Sequence, residues 1–176
     1  MKRFLTLLFA LCLLAGINAQ TPRKALVAYF SATGTTETVA RQLATAAHAD
    51  LYAITPKAAY TAADLDWHDK QSRSSVEMND PQSRPDLKDA TQDLRQYDVI
   101  YLGFPIWWGV APRIINTFIE ANSLEGKTLI PFATSGGSGI SGAVKALRTS
   151  YPKLRFQDGK LLNGTSKGDI QQLVRL

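Results

Sequence analysis

The 176-residue chain holds one cysteine, two histidines and no run of like charges. Cys12 sits inside the leading apolar stretch, so the rest of the chain has no thiol for disulfide or nucleophilic chemistry. His48 and His68 stand alone, with no partner at metal-ligand spacing, which argues against a metal centre. Lys and Arg are scattered, so the formal charge of +5 gives little footprint for nucleic acid. No glycine-rich turn carries the lysine of a triphosphate loop or the G-x-G-x-x-G spacing of dinucleotide folds. Ser31 lacks the G-x-S-x-G surroundings of a hydrolase nucleophile. Internal repeats and low-complexity tracts are also missing.

The first residues, "MKRFLTLLFALCLLAGINAQ", have a basic start at Lys2 and Arg3, an apolar stretch Phe4–Leu14 and small residues leading to Ala19. That pattern predicts a secretory signal peptide over residues 1–19, too short for a stable membrane span. Cleavage near Ala19 would remove Cys12, Lys2 and Arg3, lowering the formal charge from +5 to +3. The expected product is an exported protein, periplasmic or secreted, with one domain over residues 20–176.

Within that domain, continuous apolar runs alternate with helical patterns. Strands are expected at Lys24–Phe30, Leu51–Ile54, Asp98–Gly103 and Lys127–Thr134, with a fifth inside Leu154–Leu162. Helices are expected over Thr35–Ala47, from Pro112 onward, over Ser141–Thr149 and over Ser166–Leu176, with Ser166 as a cap. This alternation predicts an α/β fold with parallel pairing. Pro131 is anomalous in a central strand and suggests a bulge, or full pairing only beyond it. Residues 55–96 are too long for a plain crossover and read as an elaborated connection with one or two short helices over one end of the sheet.

Three unusual loops each follow a strand, and a parallel sheet brings such loops to one edge, where ligands bind. Ser31, Ala32, Thr33, Gly34, Thr35 and Thr36 combine hydroxyls with a helix N-terminus, a place for phosphate. The lysine-free composition suits a single monophosphate. Pro105, Ile106, Trp107, Trp108 and Gly109 offer an aromatic surface on which a flat heterocycle can stack. Thr134, Ser135, Gly136, Gly137, Ser138 and Gly139 offer backbone N–H groups for ring oxygens. Cradle, shelf and donors together describe a site for flavin mononucleotide (FMN).

The stretches "YFSATGTTETVA", "GFPIWWGVAP" and "PFATSGGSG" resemble the flavodoxin-like FMN-binding proteins, in particular a short bacterial group with tryptophan in the second loop. The resemblance implies a doubly wound sandwich: a five-stranded parallel sheet of order 2-1-3-4-5 with helices on both faces. It also implies that Ser31–Thr36 hold the phosphate, that Pro105–Gly109 flank the isoalloxazine, and that Thr134–Gly139 cover its other side or pyrimidine edge. The expected function is electron transfer through non-covalent FMN to a redox partner protein or small-molecule acceptor. An FMN-dependent NAD(P)H:quinone or nitro-compound oxidoreductase is the alternative, and a flavin-free binding module a third reading. For an enzyme, Tyr60, Trp67, Arg73, Glu77 and Arg84 are the candidates to seat substrate. Basic charge and export both depart from the acidic, cytosolic pattern of that family.

Overall fold

The computed structural model describes residues 24–89, 91–163 and 167–176. The expected signal peptide and the Ser166 cap lie outside them. In chain order the elements are β1 (Ala25–Tyr29), α1 (Thr35–Ala47), β2 (Asp50–Ala53), α2 (Arg73–Asn79), β3 (Val99–Pro105), α3 (Arg113–Ala121), β4 (Thr128–Thr134), α4 (Ser141–Ser150), β5 (Arg155–Phe156), β6 (Lys160–Leu161) and α5 (Lys167–Val174). The sheet is parallel, with order β2-β1-β3-β4-β5, and β6 also pairs with β4.

Side-chain alternation divides the core in two. Leu26, Ala28, Ile100, Leu102 and Leu129 face α3 and α4, where Ile114, Ile115, Phe118, Ala143 and Leu147 are buried. Val27, Tyr29, Tyr101, Ile130 and Phe132 face the other way, toward Val39, Leu43, Ile170 and Leu173 of α1 and α5. Apolar on both faces, β1, β3 and β4 therefore read as unbroken hydrophobic runs. Gly103 is tightly packed: a Cβ there would lie 2.2 Å from Phe132 Cζ.

The expected fifth strand is two short pieces, and Pro131 gives the physical reason. Strand β4 itself stays in unbroken register with β3, including Leu102 opposite Pro131. The carbonyls of Leu129 and Ala133 accept from Gln157 N–H (2.8 Å) and Leu162 N–H (2.7 Å), so odd-numbered residues face the outer strand. Pro131 faces it too and has no N–H to offer. Opposite that gap the edge strand breaks between Phe156 and Lys160, and Gly159 passes so close that a Cβ would sit 2.8 Å from the Pro131 carbonyl. The irregularity thus belongs to the neighbour of Pro131 and not to β4.

Among its described residues the elaborated connection carries one helix, α2, capped by Ser72, whose side chain accepts from Ser75 N–H. Leu87 and Leu94 anchor the connection in the core, and polar bonds add to them. Arg73 Nε donates to Glu77 Oε1 at 2.6 Å, and Tyr60 O–H donates to the other Glu77 oxygen. Arg84 grips Glu120 of α3 through two bonds of 2.7 and 2.8 Å, and Tyr151 O–H donates to the same carboxylate at 2.7 Å.

Candidate functional site

At the carboxyl ends of β1, β3 and β4 the surface opens into a cleft of about 950 Å³. The first loop contributes Ser31, Ala32, Thr33, Thr35 and Thr36, the second Pro105, Ile106, Trp107 and Trp108, and the third Thr134, Ser135 and Gly136. The three loops singled out in the sequence therefore meet in one place. Gly34, Gly109, Gly137, Ser138 and Gly139 shape the loops without lining the cleft. Leu65, Trp67, Ser74 and Asn163 line it as well. Trp67 was foreseen only as a substrate-seating candidate, and Leu65, Ser74 and Asn163 were not foreseen.

The first loop is organised around Gly34, the cap of α1, at φ +88. That left-handed conformation is open to glycine without strain. Gly34 N–H donates to Ser31 Oγ at 3.1 Å, which leaves the serine hydroxyl hydrogen to point elsewhere. Thr33 and Thr35 are exposed, with their hydroxyl oxygens 3.4 Å apart. Thr36 differs: only 1% exposed, its Oγ1 lies 2.8 Å from Thr134 Oγ1, so its hydroxyl ties the first loop to the third. The opening N–H groups of α1 have no acceptor within the helix and carry its positive dipole end. Glu37, on the same turn, is folded back onto Arg41 with Oε1 2.6 Å from NH2.

The second loop is a two-residue hairpin. Trp107 and Val110 exchange both backbone hydrogen bonds at 3.0 Å, and the residues between them, Trp108 and Gly109, have φ +47 and +80. Positive φ at both central positions marks a type I′ turn, which favours Asn-Gly. This geometry, rather than an extended loop, separates the indoles. Trp107 turns inward and packs edge-on against Phe30 (5.6 Å) and Tyr60 (5.4 Å). Trp108 stands at the tip, 51% exposed.

Of the residues considered for seating a substrate, only Trp67 lines the cleft; it is 66% exposed and stacked on His68. Tyr60, Arg73 and Glu77 are bound to one another behind Trp107, with the Arg73 guanidinium 4.0 Å over the Tyr60 ring. Burial, together with the Glu77 carboxylate, pushes the Tyr60 phenol far above its ordinary pKa. Arg84 serves the tie to Glu120.

The third loop is held at its start. Ser135 N–H donates to Asn163 Oδ1 (2.8 Å), and Asn163 Nδ2 donates back to the Ser135 carbonyl (2.7 Å). Ser135 Oγ in turn accepts from Gly137 N–H (3.1 Å) and Ser138 N–H (2.8 Å). Those two N–H groups, expected to face a ligand, are thus committed within the loop.

The family model for flavodoxin matches residues 24–175. The chain belongs to the flavodoxin family. It is 57% identical to a candidate flavoprotein from Bacteroides uniformis, covering 88% of this chain and 99% of that one, with a TM-score of 0.85. A candidate flavoprotein from Bacteroides eggerthii is 55% identical, over 86% and 96% of the two chains, with a TM-score of 0.84. A Lactobacillus acidophilus flavoprotein solved with FMN shares the fold at 19% identity, over 86% and 98% of the chains, with a TM-score of 0.66. No protein of curated function matches.

As in its family, the cofactor of this flavodoxin is FMN, and its function is redox. The cleft fits that group by its own chemistry. A helix N-terminus, the exposed hydroxyls of Thr33 and Thr35 and an open space above Gly34, where a Cβ would meet nothing within 4 Å, suit one phosphate. The indole of Trp108 offers a flat face for the ring.

Proposed function

We propose that this flavodoxin works outside the cytoplasm, exported by the signal-like segment at residues 1–19, as an electron carrier and not as an NAD(P)H-consuming enzyme. The observation supporting the carrier reading is the character of the cleft wall. Among the described residues its side chains are hydroxyls, one amide, indoles and aliphatics, and none is ionisable at neutral pH. A general acid or base needs a titratable group within hydrogen-bond reach of the reacting atom. With the α1 N-terminus taken by the FMN phosphate, a dinucleotide's own phosphates would call on arginine or lysine. Neither a titratable group nor such a cation is among the described lining residues.

FMN bound in the cleft supplies reversible uptake and release of electrons, the hard chemistry of the pair. The chain's part is to hold the phosphate on α1, to present Trp108 and the Ser135–Gly136 backbone to the ring, and to pack Trp107 behind it. Charge and stacking around the ring then set the potential at which electrons move.

Purified protein beginning at Gln20, loaded with FMN and kept anaerobic, tests the reading. Dithionite should reduce the flavin fully, while NADH and NADPH should produce no saturable turnover with quinone or nitro-compound acceptors. Rapid, saturable turnover with either nucleotide would establish the oxidoreductase instead. For export, a fusion of residues 1–25 to a reporter should deliver it across the cytoplasmic membrane and lose residues 1–19.

A further inference from the structure

Strand β6 ends one residue too early to hold the ligand end of β4. Its pairing with β4 runs through Ala133 opposite Leu161, and Leu162 N–H still reaches the Ala133 carbonyl at 2.7 Å. One rung further, at Ser135, the partner is a side chain. The primary amide of Asn163 presents a carbonyl and an N–H side by side, as a strand backbone does, and satisfies both main-chain groups of Ser135. The ladder is extended by an amide that mimics a peptide.

Ser135 is where the cleft's loops are joined. Its hydroxyl gathers the N–H groups of Gly137 and Ser138. The residue before it, Thr134, accepts from Ile106 N–H of the second loop at 2.9 Å and shares its hydroxyl with Thr36 of the first. Asn163 reaches this junction from outside all three loops, across 28 residues of sequence. It also lines the cleft.

We propose that Asn163 is a positioning residue for the cofactor. It fixes Ser135, and through Ser135 the fold of the 135–139 loop and the Ser135–Gly136 stretch that faces the isoalloxazine ring. The inference rests on the FMN function of the cleft. An asparagine suits the role because it donates and accepts at once and brings no charge beside the ring. Aspartate at this position would still accept from Ser135 N–H. It would lose the bond to the Ser135 carbonyl and place a negative charge among described lining residues that carry no cation, which disfavours the electron-rich reduced flavin.

The experiment uses the full domain with Asn163→Ala and Asn163→Asp, both checked for cooperative melting. In flavin-free protein, amide hydrogen exchange at Ser135, Gly137 and Ser138 should quicken in Asn163→Ala. Its affinity for FMN and for riboflavin should fall by the same factor, about fivefold, because the loop serves the ring and not the phosphate. Asn163→Asp should lower the flavin reduction potential. Unchanged amide exchange with unchanged riboflavin affinity would overturn the positioning role, as would a potential that does not move in Asn163→Asp. If the unaltered protein takes up no FMN, the function proposed above fails, while the amide-exchange arm still decides whether Asn163 clamps the loop.

Discussion

Thr36 and Thr134, 98 residues apart in sequence, share a hydrogen bond of 2.8 Å between side chains that are 1% and 4% exposed. One opens the helix that cradles the phosphate and the other closes strand β4, so the bond joins two walls of the cleft from beneath. Thr134→Val keeps the shape but leaves the Thr36 hydroxyl buried without its partner. Stability should fall by about 1–3 kcal/mol, read by denaturant unfolding. The double variant Thr36→Val with Thr134→Val should recover part of that loss, since removing both partners strands neither.

Thr33 and Thr35 should behave differently. Their hydroxyls are exposed at the helix N-terminus, so Thr33→Ala and Thr35→Ala should each weaken FMN by about 1.5–3 kcal/mol, the range for hydrogen bonds to a charged group. Riboflavin affinity and melting temperature should barely change. Calorimetric titration with both flavins checks it, and equal losses for the two ligands would remove the phosphate role.

The two indoles should separate cleanly. Trp107 fills the space between Phe30 and Tyr60, and Trp107→Ala should cost about 3 kcal/mol of stability. Trp108 sits at φ +47, a conformation that costs a non-glycine residue about 1–2 kcal/mol. Trp108→Asn creates the Asn-Gly pair that a type I′ turn prefers. That variant should melt higher than the parent and bind FMN more weakly by about 0.5–1.5 kcal/mol beyond lost contact area. A rise in melting temperature with no loss of affinity would mean that Trp108 takes no part in stacking.

Alkaline pH should loosen the fold through tyrosines. Burial and a bond to Asp50 push the Tyr97 phenol up to about 12, and burial with a bond to Glu120 does the same for Tyr151. Both folded values lie above the ordinary value of 10.0. The stability they confer is therefore complete below pH 10 and is lost as pH rises from there through about 12. Glu120 has the opposite sign: its bond to Arg84 holds its pKa below the ordinary 4.5, so its contribution is present at neutral pH and fades in acid. Unfolding free energies measured between pH 8 and 12 should decline above pH 10, with a shallower slope in Tyr97→Phe and Tyr151→Phe.

Gly103 should tolerate no side chain while Phe132 is present. An alanine methyl would fall 2.2 Å from the ring, so Gly103→Ala should destabilise by at least the 1–3 kcal/mol typical of overpacking, about the same as a lost core contact. Adding Phe132→Leu should return part of it, as chemical denaturation of the single and double variants would show.

Much of this architecture is legible in the sequence because strands buried on both faces leave unbroken apolar runs, as in "LVAYF" and "VIYLGF". Loops that follow such runs in a parallel sheet share one edge, so the sequence alone groups the three cleft loops. What stayed hidden depends on pairing. Pro131 could be seen as an anomaly, but which strand would yield to it follows only from the side its missing N–H faces. Asn163 is one polar residue after a weak strand, and nothing local tells that its amide completes a ladder. In "WWG" the glycine at the second turn position was a signal for a primed turn. It is obscured by tryptophan at the first, a residue the left-handed region rarely takes. Tyr60 and Glu77, 17 residues apart, carry no periodic signature of their partnership.

The cradle is made early in the chain and finished late. The inner face of α1 is closed by Ile170 and Leu173, Thr36 waits for Thr134, and the loop after β4 waits for Asn163. The phosphate-binding turn therefore has no finished walls until segments far along the chain have packed against it. The front of the domain alone offers FMN a turn without walls, and the complete site is a property of the whole domain.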